Sequence, residues 1–409
     1  MNSENSIDIP QFKIDTKYLR TLLDEMIEIN SVVGDEKDLA ILLAEELQKL
    51  GLAIQLEDVE ANRPNIYAHH QFAQKGKTLT FNGHLDTVDV CEGWTFEPFI
   101  PIEKDGNLYG LGSADMKGGI ACQIAAIKAL VDSNESQIGT IHFSAVVDEE
   151  GYGKGGRKMI NNPFFGKGKT DGIIIAEPLF GNTVASSLPL GMTGKVLYKI
   201  TIKGLSAHAY RPVQGINAIT DASKIVNVIE NLGDSSKNEN LGFTLLSDDD
   251  FGKGSFCILK IEGGYKKYSV VVPEHCEIIL NRLTVPGETK ESLNQDLEQL
   301  IEKLNLKSMV TIELVPPFYY PYKISEDHEL FSSLKRAYKE SMGEDPYTSY
   351  MRMITDANVF MGEGKIPTVH FGPKGNNLHS PNENVNVNSL EVCAKIYAQT
   401  YCIFQKKNK

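Results

Sequence analysis

Leu79-Thr80-Phe81-Asn82-Gly83-His84-Leu85-Asp86-Thr87 reads as a buried strand that ends by presenting a histidine and a carboxylate together. Leu79, Phe81 and Leu85 make a short apolar run, and Gly83 is read as the point where the backbone leaves the sheet just before His84. In extended backbone His84 and Asp86 share a face, so the Asp86 carboxylate can take one ring N–H and leave the other nitrogen free for a metal. An HxD triplet alone is more often a surface pair or a satisfied core histidine, so its weight comes from the acid-rich company further along the chain.

Outward from this strand, Tyr18 to Asn30 and Glu36 to Leu50 carry apolar residues at helical spacing, the second stopping at Gly51. Strands are expected over 52–56, 65–68, 140–147 and 172–176, with helices over 116–131 and 156–161. This alternation predicts an α/β domain with a largely parallel sheet, in which chemistry collects at the carboxyl ends of strands. Residues 193–315 read differently, as strand, helix, two strands, helix and strand, the βαββαβ order of a ferredoxin-like domain closed by Pro316-Pro317. Helix 328–341, strand 367–371 and helix 390–404 are too few for a sheet of their own and are read as returning to the first domain. The expected division is therefore a discontinuous catalytic domain, 1–187 with 317–409, and an insertion, 188–316.

The 409 residues, 41% of them hydrophobic, suffice for such domains, and 54 acidic against 41 basic residues argue against nucleic acid or an anionic membrane as partner. Six scattered cysteines without a CxxC pair read as reduced core thiols. With no apolar run near the start and no long apolar segment, the expected location is the cytoplasm.

Five stretches concentrate acids and histidines, most of them just after apolar strands: His84-Leu85-Asp86, 113–119 around Asp115, Asp148-Glu149-Glu150, Ile175-Ala176-Glu177, and Leu378-His379. Singly, each reads as an N-cap, a solvated turn or a surface residue. Together, two histidines and several carboxylates without cysteine suit zinc, with cobalt or manganese able to substitute. The acids exceed what one tetrahedral ion uses, which points to two metals about 3.5–4 Å apart bridged by a carboxylate and a water. Of the neighbours Glu149 and Glu150, one then ligates and the other takes the proton from the bridging water.

The segments TFNGHLDTVDV, LYGLGSADMKGG, VVDEEGYGKGG, IIAEP and NLHSPNENV closely resemble those of the dinuclear-zinc family of acetylornithine deacetylase, succinyl-diaminopimelate desuccinylase, aminoacylase and glutamate carboxypeptidase, over Tyr18 to the last helix. The resemblance implies His84, Glu177 and Asp115 on one zinc, Asp115 bridging to a second zinc held by Glu150 and His379, Asp86 as partner of His84, and Glu149 as general base. It also implies a cis peptide after Asp115. The insertion resembles the family's lid and dimerisation domain, with GLSAHA at 204–209 and GINAI at 215–219. By that analogy His208 helps hold the oxyanion across a homodimer and Asn217 binds a carboxylate or carbonyl of the substrate. Asn281-Arg282 matches the family's last motif only in part, leaving Arg282 as candidate for the substrate's acid group. Leu111 and Asn358 stand where many relatives carry arginine.

The reading is a two-metal hydrolase of the amide bond in a small N-acyl amino acid, deacetylase or desuccinylase in type. A dipeptidase, tripeptidase or carboxypeptidase is the rival within the family, and a metal-free binding protein the rival from another class.

Overall fold

The computed structural model describes residues 9–133, 137–180, 187–232, 245–267 and 269–406. In chain order they form helices α1 (Thr16–Glu28) and α2 (Lys37–Lys49), strands β1 (Ala53–Glu60), β2 (Arg63–Gln71) and β3 (Gln74–His84), then α3 (Gly118–Asp132), β4 (Ile138–Val146), α4 (Lys154–Ile160) and β5 (Gly172–Ile175). There follow β6 (Gly194–Lys203), α5 (Ala218–Glu230), β7 (Ser255–Gly263), β8 (His275–Thr284), α6 (Lys290–Glu302), β9 (Met309–Tyr319), α7 (Glu329–Met342), β10 (Thr368–His370) and α8 (Val387–Gln405). None of the described helices is long and apolar enough to cross a membrane. The chain divides into two compact units: residues 1–190, 323–349 and 355–409, and an inserted unit of 191–322 with 350–354. The boundaries read from the sequence fall a few residues short of these, and nothing in that reading assigned 350–354 to the insertion.

The first unit is built on a six-stranded sheet in the order β1-β2-β4-β3-β5-β10. β3, β4, β5 and β10 run parallel, while the β1–β2 hairpin joins antiparallel and makes the sheet mixed. β3 lies between β4 and β5, and its second half, 79–84, is buried on both faces, the polar Thr80, Asn82 and His84 included. Gly83 does not release the backbone from the sheet: it stays in β3, and a Cβ there would sit 2.5 Å from Ile120 Cγ1. Its absent side chain lets α3 lie against the strand. At the start of α3 a Cβ on Gly119 would come within 2.1 Å of the Ala176 carbonyl oxygen, so only glycine allows the helix to meet the end of β5. That approach draws Asp115 and Glu177, on either side of it, into one neighbourhood.

The inserted unit is a four-stranded antiparallel sheet, β7-β8-β6-β9, with α5 and α6. Its order β6-α5-β7-β8-α6-β9 is the βαββαβ expected. Tyr198, Ile200 and Ile202 of β6, Ile278 and Leu280 of β8, Ala222 and Ile225 of α5, and Leu293 and Leu297 of α6 close its core. Pro316-Pro317 does not end the domain; β9 runs through it to Tyr319. β9 is an edge strand and its register with β6 shifts between Leu197 and Lys195, so two prolines without N–H groups cost no central ladder bond. Residues 233–244, between α5 and β7, lie outside the described residues.

Candidate metal centre

Three neighbouring parallel strands deliver acids and a histidine at their carboxyl ends. His84 closes β3, Asp148-Glu149-Glu150 follows β4, and Glu177 follows β5. Asp115 comes from the turn before α3, where the Asp115–Met116 peptide is cis, and His379 from the loop after the short strand 374–376. His379 and Asp148 both hold left-handed backbone, φ 54° and 70°, a conformation that non-glycine residues keep where the surroundings impose it.

The two oxygens of Asp115 face different histidines: Oδ1 lies 3.1 Å from His84 Nε2, and Oδ2 lies 3.3 Å from His379 Nε2. His379 Nε2 is also 2.7 Å from Glu150 Oε1. His84, Asp115 and Glu177 form one set whose ligand atoms lie within 4.8 Å of one another, and Asp115, Glu150 and His379 form a second. Asp115 belongs to both. Glu149 falls in a third set with His84 and Glu150, within reach of a member of each of the other two.

The donor chemistry fits divalent metals. His84 Nδ1 donates to the Asp86 main-chain oxygen at 2.8 Å, which turns Nε2 toward Asp115. In the neutral ring that nitrogen and Asp115 Oδ1 are two lone-pair atoms facing each other, an arrangement a cation between them satisfies. Each set that includes Asp115 offers one imidazole nitrogen and two carboxylates, a group that zinc, cobalt and manganese accept.

Without a cation the charges press on one another. Glu149 keeps some surface but lies deep among protein atoms, and burial, then the charges of Glu177 and Asp356, hold its pKa well above the usual carboxylate range. Burial, then Asp115, does the same to Glu177. Burial works against the His84 imidazolium, but Asp115, Glu149 and Glu177 override it and raise its pKa well above the ordinary value. Hydrogen bonds that its ring donates to Asp115 and Glu150 push His379 up to about 10. The same histidines, against the effect of burial, hold Asp115 below its usual range.

Asp86 serves differently from the sequence expectation. Its carboxylate lies 3.9 Å from His84 Nδ1 and instead accepts the backbone N–H groups of Glu149, at 3.1 Å, and Glu150, at 2.8 Å. The backbone carbonyl is nearer the ring and takes its N–H, leaving the carboxylate to fix the turn that carries the two glutamates. Two further acids escaped the sequence reading. Glu383 accepts from the N–H groups of Gly112, Ala114 and Asp115 at 2.9–3.0 Å and so aims the Asp115 turn. Its place in the quoted NLHSPNENV segment was the available signal. Asp356 is buried, neither of its carboxylate oxygens has a hydrogen-bond partner among the described residues, and burial pushes its pKa up to about 7.

In the inserted unit, His208 is exposed, and its Nδ1 accepts the Tyr210 N–H at 3.2 Å. Asn217 is the N-cap of α5: its side-chain oxygen accepts from Ile219 and Thr220. Arg282 corrects an expectation. It is fully buried in β8, stacked 5.0 Å over Phe256, with Nη2 donating to Glu288 and to Asp296. A guanidinium enclosed with its own carboxylates is a core ion pair and does not meet a substrate's acid group.

Residues 80–402 match the model of peptidase family M20/M25/M40. Among curated relatives, the succinyl-diaminopimelate desuccinylase of Hydrogenovibrio crunogenus is 28% identical over 93% of this chain and 97% of its own. Among solved structures, aminopeptidase PepT from Bacillus cereus superposes with a TM-score of 0.76 at 22% identity, covering 96% of this chain and all of that one. A dinuclear metal binding peptidase of the M20 family from Bacillus subtilis gives 0.71 at 16%, covering 95% and 98%. At these identities the structural likenesses carry the fold.

Proposed function

Because the chain belongs to peptidase family M20/M25/M40, and is thus a metal-dependent hydrolase of amide bonds, we propose that it cleaves a small N-acyl amino acid, in the manner of a deacetylase or desuccinylase, with Glu149 as general base. The observation that carries this reading is Asp115, each of whose oxygens faces a different histidine, with Glu149 within reach of both resulting groups.

His84, Asp115 and Glu177 would hold one ion, and Asp115, Glu150 and His379 a second, zinc being the metal the family resemblance implies. When bound, such a pair polarises a carbonyl and lowers the pKa of water toward neutrality. The chain supplies the rest. Glu149 takes a proton from the attacking water onto its carboxylate and hands it to the leaving amine. Asp86 holds that carboxylate's backbone in place, and Glu383 holds the backbone of Asp115. In the same reading the protein is a homodimer joined through the inserted unit. His208 stabilises the oxyanion in the partner's centre, and Asn217 binds the substrate's carboxylate or carbonyl with the amide group its cap leaves over.

The acyl-amino-acid reading follows the curated desuccinylase relatives, and an exopeptidase is the competing use of the same centre. Turnover of N-acetyl and N-succinyl amino acids should exceed that of dipeptides and tripeptides on zinc-reconstituted protein. A preference for the peptides would assign the chain to the exopeptidases instead.

A further inference from the structure

The first unit also contains a cavity of about 580 Å³, within the range of small-molecule sites. None of the side chains assigned to the metals lines it. Its walls include the aromatic pair Tyr338 and Phe371, ring centroids 6.2 Å apart, and the aliphatic Val392 and Ile396 of α8. They also include the amides of Asn107, Asn376 and Asn386, and a single charged residue, Lys374. Lys374 is 8% exposed, and its Nζ has no hydrogen-bond partner among the described residues. A buried ammonium without an acceptor is costly, and burial lowers its pKa. No other described residue on the cavity wall carries charge to offset it.

We propose that this cavity binds a small organic carboxylate with an apolar body, the carboxylate meeting Lys374 and the body lying against Tyr338 and Phe371. The Nζ atom is itself covered in this structure, so the contact requires rotation about the last bonds of the lysine chain, which are flexible. Amides elsewhere on the wall carry no charge and so do not compete for the positive charge. An anion suits the site better than a neutral ligand because Lys374 gains the one acceptor it lacks.

Calorimetric titration with 4-phenylbutyrate and its uncharged analogue 4-phenylbutanamide tests this directly. The acid should bind at least about tenfold tighter than the amide, and equally well before and after the metals are stripped with chelator. Lys374→Met should abolish the preference for the acid, and Val392→Trp should block both ligands by filling the cavity. The melting temperature of Lys374→Met should equal or exceed that of the unaltered protein, since the change removes an unpartnered charge. Equal affinity for acid and amide would overturn the proposal, as would undiminished acid binding by Lys374→Met. Loss of binding on metal removal would place the ligand at the metal centre instead, and a marked fall in the melting temperature of Lys374→Met would show that the ammonium belongs to the fold; either result also ends it.

Discussion

Both units bury carboxylates, and they compensate them in opposite ways. In the inserted unit Glu288 lies with Asp296 around the Arg282 guanidinium, so the chain encloses a cation of its own among its acids. In the first unit Asp115, Glu149, Glu150, Glu177, Asp86 and Asp356 gather near the ends of three strands, with His84 and His379 among them and Arg157 acting on Asp356. Burial first, and then the neighbouring acids, raise the pKa values of Glu149, Glu177 and Asp356. The Arg282–Glu288 pair forms when the chain folds, through Nη2 of the guanidinium. A cluster of like charges whose shared carboxylate faces two histidines is, on the proposed reading, completed by cations from outside, and that would distinguish a binding centre from a structural one.

The largest effect that sharpens this contrast lies within the centre. Glu149→Ala should keep its metal but lose about 10²–10⁴-fold in turnover, whereas Glu150→Ala should lose metal. Equal metal loss in the two variants would remove the division of roles. For the inserted unit the corresponding test is stability: Arg282→Met should cost roughly 3–5 kcal/mol by leaving Glu288 uncompensated. Hydrogen exchange should report the loss in β6 and β8, with metal content unchanged. An effect on substrate affinity without such a loss would return Arg282 to the substrate.

His208→Ala should lower turnover by about 10²–10³ if the inserted unit serves a partner's centre. Mixing and re-equilibrating it with Glu149→Gln should then restore activity, since one site of the mixed dimer has both residues intact. Subunit exchange without recovery would confine His208 to a surface role. The smallest effect concerns Asp356. Its pKa, raised to about 7 from 3.8, means that folding is favoured most below the ordinary carboxylate value and that this contribution is lost as pH rises through 7. In metal-stripped protein, Asp356→Asn should therefore leave stability near pH 4 little changed and gain roughly 1–3 kcal/mol by pH 8. Denaturant melts at the two pH values check this, and a loss at pH 8 would show that the charge has a compensating partner.

The fold was legible because its signals are local. Apolar runs mark β3, β4 and β5, and apolar residues at helical spacing mark the helices, α2 with a stop at Gly51. The same strands end in acids, so most of the centre came with the sheet. What escaped depends on contacts distant in sequence. The HxD spacing cannot tell that the Asp86 carbonyl takes the ring N–H while its carboxylate reaches Glu149 and Glu150 some sixty residues on. Glu383 acts on a turn 268–271 residues away. Arg282 looked available because its partners Glu288 and Asp296 carry no mark in the sequence, and Gly83 was read as a hinge because Ile120 is invisible from its neighbours.

The central claim is that the acid surplus of the first unit exists to hold two ions around Asp115. Elemental analysis of protein stripped by chelator, reconstituted with zinc and freed of excess metal tests it most directly. About two equivalents per chain are expected, in the unaltered protein and in Glu149→Ala alike. Clearly less than one equivalent in the unaltered protein would contradict the account and favour a metal-free binding protein.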